Sequence, residues 1–230
     1  MAPALLRWRQ PGGNVDFNLK LFFDSLPALL KGARLTVELA LLSTLFGLVL
    51  GVLGGLARVS SMRFLNGSVL ALVTLVRGVP TLVTILFLYY GLPSAGFVWE
   101  PFVVAVLALS ITNGAYVTEI VRAGINGVDR GQMRAARSLG MSYSLAMRRI
   151  ILPQALRRVL PPIANEAITL LKNTALVSVI ALSDLLRTGV EIMTWKANTF
   201  SPFAGVALIY LCMTLPLVGL TIYLERRYRL

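Results

Sequence analysis

The stretch QMRAARSLGMSYSLAMRRIILP, residues 132–153, places a basic, amphipathic segment inside a chain that is otherwise mostly apolar. Asp129 or the turn around Gly131 can start a short helix here, and Gly140 can end it, because such residues favour helix ends. Pro153 is tolerated in the first turn of a helix, where its missing N–H has no partner to lose. The pattern therefore predicts a short helix, a turn, and a second helix that continues into apolar sequence.

The predicted short helix offers small residues for contact with another protein. Ala135 and Ala136 are four and three positions from Leu139, so we expect all three on one face. The alanines would let the helix seat closely in a groove, surrounded by four arginines: Arg134, Arg137, Arg148 and Arg149. From the residues alone two interpretations stay open. In the first, the segment is a rigid element that transmits movement from a partner protein to the membrane helices. In the second, it is an ordinary basic loop held at the lipid headgroups.

The composition is typical of a protein that crosses a membrane several times. Hydrophobic residues make up 57% of the chain and charged residues 14%, and the mean hydropathy is +0.76. The formal net charge is +12. The basic residues lie between apolar runs, so we expect them to face the cytoplasmic membrane surface and expect no nucleic acid partner.

Five segments are long and apolar enough to cross the hydrocarbon core, which takes about 20 residues. The predicted spans run over residues 35–57, 64–90, 102–121, 161–182 and 203–223. Recurring glycines in the first span, at Gly47, Gly51, Gly54 and Gly55, predict close approach of another helix. The expected fold is an all-α polytopic bundle.

Basic residues in the loops predict the orientation of the spans. Thirteen of them fall on the side that carries the long loop 122–158, against seven on the other side. We therefore expect the long loop and the C-terminus in the cytoplasm and the N-terminus outside. The expected organisation is an external segment 1–31 with an amphipathic surface helix over 15–30, a membrane domain 32–226 that includes loop 122–158, and a cytoplasmic tail 227–230.

The residue types present in the chain argue against an enzyme. The chain has no histidine, and its single cysteine, Cys212, lies inside an apolar run. No G-x-x-x-x-G-K-[ST] phosphate loop is present in the sequence. We predict no catalytic residue, no metal site and no cofactor bound by this chain.

Polar residues inside the predicted spans are candidates for function, because burying them in lipid is costly. Glu166 and Asn173 are seven residues apart and so lie on one face of a helix. Glu166 could meet an ammonium group, and the amide of Asn173 could bond a polar side chain. The predicted pathway residues are Glu166, Asn173, Thr169, Arg77 and Asn113.

Internal ion pairing is the alternative interpretation of these charges. Arg77 could pair with Glu119 or with Glu166 inside the bundle. For Glu119 we favour a structural role.

Several stretches together give the chain a family resemblance. Ala135-Ala136, Gly140, Ile150, Leu152 and Pro153 have the spacing of the EAA loop of bacterial ABC importer permeases. From about residue 26 onward the chain resembles the permease subunits of polar amino-acid ABC importers, which handle histidine, glutamine, glutamate, arginine and opines. The resemblance is carried further by LPALLKGARLTVELALLS (26–43), RGVPTLVTILFLYYGLP (77–93), GAYVTEIVRAGI (114–125) and NEAITLLKNTALVSVIALSDLL (165–186).

The resemblance implies a type I importer permease in the bacterial cytoplasmic membrane. It implies an ABC ATPase dimer on the cytoplasmic side, with ATP and Mg²⁺ on those ATPase subunits, a second permease subunit and an external amino-acid-binding protein. The residues implied in coupling are Arg134, Ala135, Ala136, Leu139, Gly140, Ile150 and Pro153. Arg134 stands where the family usually has glutamate, so contacts made by that glutamate are not carried over.

Two other functions stay open beside a polar amino-acid permease. One is a permease for another small solute such as methionine. The other is a structural half of a heterodimeric permease that binds no substrate itself. Asn173 corresponds to an aspartate in some relatives that take basic amino acids, so its neutral side chain favours acidic or neutral polar substrates.

Overall fold

The computed structural model describes residues 17–228, and within that range it is helical and contains no strand. Its α-helices are α1 (Leu19–Arg58), α2 (Arg63–Gly78), α3 (Thr81–Leu86), α4 (Pro101–Asn126), α5 (Arg130–Ser138), α6 (Tyr143–Ala146), α7 (Leu152–Asn173), α8 (Leu185–Lys196) and α9 (Phe200–Arg227). Short π-helical turns occupy Phe87–Gly91 and Met147–Ile151, and 3₁₀ turns occupy Leu92–Ala95 and Thr174–Ile180. The all-α prediction is confirmed.

Helix α1 joins two elements that the sequence analysis kept apart. It runs for 40 residues without a break, with Asn18 as its N-cap and Pro27 accommodated inside. The predicted separate surface helix over 15–30 is therefore wrong in its described part. No residue between 19 and 34 ends the helix, and Ser25 and Leu29 in its first turns are buried against other parts of the protein. The backbone N–H of Asn18 donates to Ser201 Oγ at 2.8 Å, and Leu29 is fully buried beside Val206 and Ile209 of α9.

The predicted second span is broken in the middle. Helix α2 and the helical segment Thr81–Ala95 meet at an angle of 98°. Val79 between them is extended, with φ −105° and ψ 130°, because the ring of Pro80 disfavours helical geometry in the preceding residue. The helix thus ends at Gly78 and restarts at Thr81 in a new direction.

The number of spans depends on that bent pair. Between residues 17 and 228, four helical runs are long and apolar enough to cross a membrane: Leu19–Arg58, Pro101–Asn126, Tyr143–Ile180 and Phe200–Arg227. The count is five if the bent pair forms one span. The helical run that contains the predicted fourth span begins at Tyr143, before the predicted span boundary at residue 161.

Helices α1 and α4 form the centre of the bundle. A Cβ atom at Gly47 would overlap the side chain of Asn113, and Cβ atoms at Gly51 and Gly55 would overlap Val117 and Val121. The three glycines therefore let the two backbones approach closely, as the sequence predicts. Toward its N-terminal end, α4 also carries the buried core residues Val104, Ala105, Ala108 and Leu109.

Helix α8 is an element that the sequence analysis missed. Its N-cap Asp184 is fully buried and accepts hydrogen bonds from the backbone N–H groups of Leu186 and Arg187 at 3.2 and 3.1 Å. The N–H of Leu185 donates to Thr36 Oγ1 of α1 at 3.1 Å. Burial raises the pKa of Asp184 to about 6. An aspartate directly before Leu185 and Leu186 is a helix start signal that could have been read from the sequence.

Replacing Gly51 by isoleucine should destabilise the bundle, because the new side chain would overlap buried Val117. Overpacking of this kind costs about 1–3 kcal/mol. The matched control is Gly67→Ile on α2, where an added Cβ meets nothing within 4 Å. Thermal unfolding of both variants in detergent checks the expectation. Equal midpoints would show that the α1–α4 contact is not close.

Cysteine labelling distinguishes the two possible paths of the bent pair. In a Cys212→Ala background, Ser61, Ser94 and Ser144 are replaced singly by cysteine; all three are exposed. A bent pair that crosses the membrane puts positions 61 and 144 on the cytoplasmic side and position 94 on the other. Labelling of positions 61 and 94 from the same side would instead show a re-entrant loop and four spans.

Candidate functional site

A small cavity lies where α3, α4 and α7 meet. Its volume is about 210 Å³, and it is lined by Thr81, Leu109, Thr112, Asn113, Tyr116, Glu166, Thr169, Leu170 and Asn173. Glu166, Thr169 and Asn173 follow one another at helical spacing along α7, so they face the same side. The structure thus brings together Asn113, Glu166, Thr169 and Asn173, four of the five predicted pathway residues.

A polar contact joins the two helices that form the cavity. The amide nitrogen of Asn113 donates to Glu166 Oε1 at 3.4 Å, which is long for a hydrogen bond. Asn113 is only 3% exposed, and its Oδ1 has no hydrogen-bond partner in the described residues. Gly47 of α1 leaves the space that the Asn113 side chain occupies. The cavity is therefore lined by the carboxyl group of Glu166 and the amide nitrogen of Asn113, whereas the Asn113 side-chain oxygen lies against Gly47 of α1.

Arg77 lies next to the cavity and is not one of its lining residues. Its guanidinium carbon is 5.2 Å from the ring centroid of Tyr116, which does line the cavity. This distance is within the range of a cation–π contact. Arg77 therefore contacts a residue of the cavity wall without lining the cavity itself.

Within residues 17–228, Arg77 forms no salt bridge with Glu119 or with Glu166. Glu119 pairs with Arg122 at 2.7 Å and with Arg58 at 3.6 Å. Arg58 also donates a hydrogen bond to Asn66 at the start of α2. Glu119 therefore ties the end of α1 to α4, which is the structural role expected for it.

Three polar residues of the cavity were missed by the sequence analysis: Thr81, Thr112 and Tyr116. Thr112 and Tyr116 are neighbours of Asn113 along one side of α4, at helical spacing from Leu109. A helical projection of α4 that starts from Asn113 would have placed Thr112 and Tyr116 on the same side of the helix. Thr81 reaches the cavity because the chain bends at Pro80. Counting apolar residues to find membrane spans does not predict such a bend.

The loop at 129–153 has the predicted helix–turn–helix form. Asp129 caps α5 by accepting from the N–H of Gly131 at 2.6 Å. Gly140 follows the end of α5 with φ +79°, a conformation that favours glycine, and the N–H of Met141 donates to the carbonyl of Ala136 at 3.1 Å. Pro153 lies in the first turn of α7. These predictions are confirmed.

The predicted contact face of α5 needs a correction. Ala136 is 1% exposed and points into the protein, whereas Leu139 is 83% exposed. Ala135 and Arg134 are also exposed. Residues 135 and 139 are one helical turn apart, but residue 136 is rotated by about 100°. The exposed face is therefore formed by Ala135 and Leu139, and Ala136 anchors the helix.

One helical run connects this loop to the cavity. It extends from Tyr143 to Ile180 through the π-helical turn Met147–Ile151. Ile150 lies in that turn, and Glu166 and Asn173 follow farther along the same run. A displacement of α5 can therefore reach the cavity through the short turn 139–142 and this one helical run.

Comparison with known proteins gives one family and several close relatives. Residues 26–230 match the family described as binding-protein-dependent transport system inner membrane component. The arginine transport system permease protein of Bacillus subtilis is 36% identical over 94% of this chain and 98% of that protein. The glutamine transport system permease protein of Escherichia coli is 35% identical over 94% of this chain and all of that protein.

The solved structures that resemble this chain also belong to ABC transporters. A chain of an amino acid ABC transporter crystallised with histidines superposes with a TM-score of 0.87 at 39% identity, over 94% of this chain and all of that one. An inward-facing MetNI methionine ABC transporter superposes with a TM-score of 0.67 at 16% identity, over 85% of this chain and 95% of that one. At 16% identity, the second comparison shows a shared fold and nothing more.

Proposed function

Because this chain belongs to the family of inner membrane components of binding-protein-dependent transport systems, we propose that it is the permease subunit of an importer for a polar amino acid. The amino acid passes into the cytoplasm by alternating access, and a separate ATPase supplies the energy. Relatives at 35–36% identity are named as arginine and glutamine permeases. The chain itself is a transport component and performs no chemistry in this proposal.

The observation that carries the proposal is the polar cavity between α4 and α7. Glu166 offers a counter-charge to the α-ammonium group that every amino acid carries. The amides of Asn113 and Asn173 and the hydroxyl of Thr169 can bond the carboxylate or a polar side chain. Its volume of about 210 Å³ suits a small solute, since sites for drug-sized ligands measure about 300–1,000 Å³.

A second subunit is supported by the exposed face of α7. Arg158, Asn165 and Lys172 are exposed and follow one another seven residues apart, so they form a polar stripe along the helix. Charged residues in a membrane span face a water-filled path or another protein. We propose that a second permease chain, identical or homologous, lies across this stripe and completes the pathway.

The exposed face of α5 is the proposed contact with the ATPase dimer. Leu139 and Ala135 would enter a groove on the ATPase, and the helical run from Tyr143 would carry its movement toward Glu166 and Asn173. ATP and Mg²⁺ belong to those ATPase subunits. Arg134 is exposed at this face and is placed to meet an acidic residue of the ATPase.

The remaining partners and the orientation follow from the family and the charges. An external amino-acid-binding protein delivers the substrate, and the chain lies in a bacterial cytoplasmic membrane with its N-terminus outside and its C-terminus inside. Among possible substrates, the neutral Asn173 favours glutamine, asparagine, glutamate or aspartate over basic amino acids.

The alternatives are not favoured. The likeness to the methionine transporter shows the fold alone, at 16% identity, and the cavity here is lined by one carboxylate and several amides and hydroxyls. A purely structural half of a permease would have no need for such a cavity.

The test of the proposed site is Glu166→Gln, which keeps the size of the side chain and removes its charge. Loss of a charge-assisted hydrogen bond should lower the uptake rate at subsaturating amino acid by about 10- to 100-fold. Uptake of radiolabelled amino acids into proteoliposomes with the ATPase and binding protein measures this. Glu191→Gln, which removes a carboxylate paired with Arg187 on α8, is the matched control. Normal uptake by the Glu166 variant would contradict the site.

The test of coupling is Gly140→Val, because a β-branched residue is strained at φ +79°. The altered turn should displace Leu139, so that the ATPase still hydrolyses ATP and uptake falls. Gly140→Asn is the matched control, since asparagine tolerates positive φ better than other residues that carry a side chain. Unchanged uptake per ATP hydrolysed in the valine variant would remove the loop from the coupling path.

A further inference from the structure

A second, larger groove opens on the outside of the bundle, between α1, α4 and α7. Its volume is about 610 Å³, and its walls are apolar, with Leu48, Val52 and Leu56 on α1 and Leu152, Leu156 and Ile163 on α7. Among the described residues that line it, Arg148 is the charged one. The groove shares no lining residue with the polar cavity.

The length of the groove along its helices matches the thickness of one membrane leaflet. Residues 48 to 56 of α1 span about 12 Å, and residues 152 to 163 of α7 span about 16 Å, at 1.5 Å per residue. Half of the hydrocarbon core of a bilayer measures about 15 Å. The groove ends near Arg58, where α1 stops, and near Arg148, on the side that the basic loops mark as cytoplasmic.

Arg148 stands at the headgroup end of this apolar groove. It is exposed, and no ion pair joins it to another residue in the range 17–228. A free guanidinium beside an acyl-sized groove matches the phosphate of a lipid, with which arginine forms paired hydrogen bonds.

The groove faces away from the polar stripe of α7. Leu152, Leu156 and Ile163 lie about 150° around the helix from the stripe that carries Arg158, Asn165 and Lys172, at 100° per residue. A second subunit that covers the stripe would leave the groove open toward the bilayer. Lipid is therefore the molecule in continuous contact with it.

We propose that this groove is a binding site for one anionic phospholipid of the cytoplasmic leaflet, with an acyl chain along α1 and α7 and the phosphate on Arg148. The site adjoins Leu152 and Pro153, where the loop becomes the fourth span. A lipid seated there packs against the helical run that connects α5 with the polar cavity. The site rests on the second subunit and the orientation given under the proposed function, but it does not depend on which solute is transported.

The experiment measures lipid retained by the purified permease complex in native mass spectrometry. The complex is prepared in nanodiscs that contain equal amounts of phosphatidylglycerol and phosphatidylcholine and is then released into detergent. The expected result is one phosphatidylglycerol retained per chain, in preference to phosphatidylcholine. Arg148→Gln should lower that retention about fivefold, the effect of one basic residue at a membrane surface. Val52→Trp should fill the groove and abolish retention of either lipid.

Two matched controls separate the site from general effects. Arg149→Gln removes the neighbouring exposed charge, and Leu53→Trp adds the same bulk to a more exposed position of α1; neither residue lines the groove. Both should retain phosphatidylglycerol like the wild type. Thermal unfolding of each variant checks that the fold is intact, and Arg148→Gln, at an exposed position, keeps the test decisive if Val52→Trp does not fold.

Several outcomes would overturn the proposal. Equal retention of the two lipids by the wild type, or equal loss in the Arg148 and Arg149 variants, would remove the assignment of an anionic lipid. Unchanged retention in folded Val52→Trp would place any bound lipid elsewhere. A disulfide between two chains carrying Val52→Cys and Cys212→Ala, formed in native membranes, would show that a second copy covers the groove.

Discussion

The close contact of α1 with α4 is the constraint on which the rest of this structure depends. Glycines at 47, 51 and 55 remove the side chains that would hold the two backbones apart. In a membrane, where apolar surfaces gain little by leaving lipid, such close packing is a main source of helix association. The same contact buries Asn113 at 3% exposure and turns its amide toward Glu166 of α7. The packing of the first helix pair therefore also sets the position of the polar cavity.

The two walls of the polar cavity differ in form, because one is a long continuous helical run and the other follows a bend in the chain. The run from Tyr143 to Ile180 is helical throughout, so the cavity residues Glu166 and Asn173 lie on the same helical run that begins just after the turn 139–142 next to Leu139. The opposite wall of the cavity is supplied by Thr81, which directly follows the bend at Val79–Pro80. A cavity between a rigid helix and a bent one can change its width when the rigid helix moves. That arrangement is suited to alternating access.

The sequence predicted those parts of the fold that rest on local chemistry. The apolar lengths of the third and fifth spans, the cap at Asp129, the positive φ of Gly140 and the glycine contact surface each follow from a few neighbouring residues. The long α1 was missed because amphipathicity suggested a separate helix, whereas contacts with α9, distant in sequence, bury Leu29. The pairing of Glu119 with Arg58 and the stacking of Arg77 on Tyr116 likewise depend on how helices are arranged in space. Helical spacing alone brought Glu166, Thr169 and Asn173 together, but it could not show that Thr81 joins them.

Helix α7 meets three environments on three of its sides, and this explains its unusual sequence. One side carries the cavity residues Glu166 and Asn173, a second carries the apolar groove, and a third carries the exposed stripe with Arg158 and Lys172. A lysine at the centre of a span costs about 2.5–3.5 kcal/mol on the scale derived from membrane insertion. Lipid cannot offset that cost, but water in a pathway or polar groups of a second subunit can. In the proposed assembly, the charge that is unfavourable for the isolated chain in a bilayer would favour contact with a second subunit, so that assembly and formation of the pathway would be coupled.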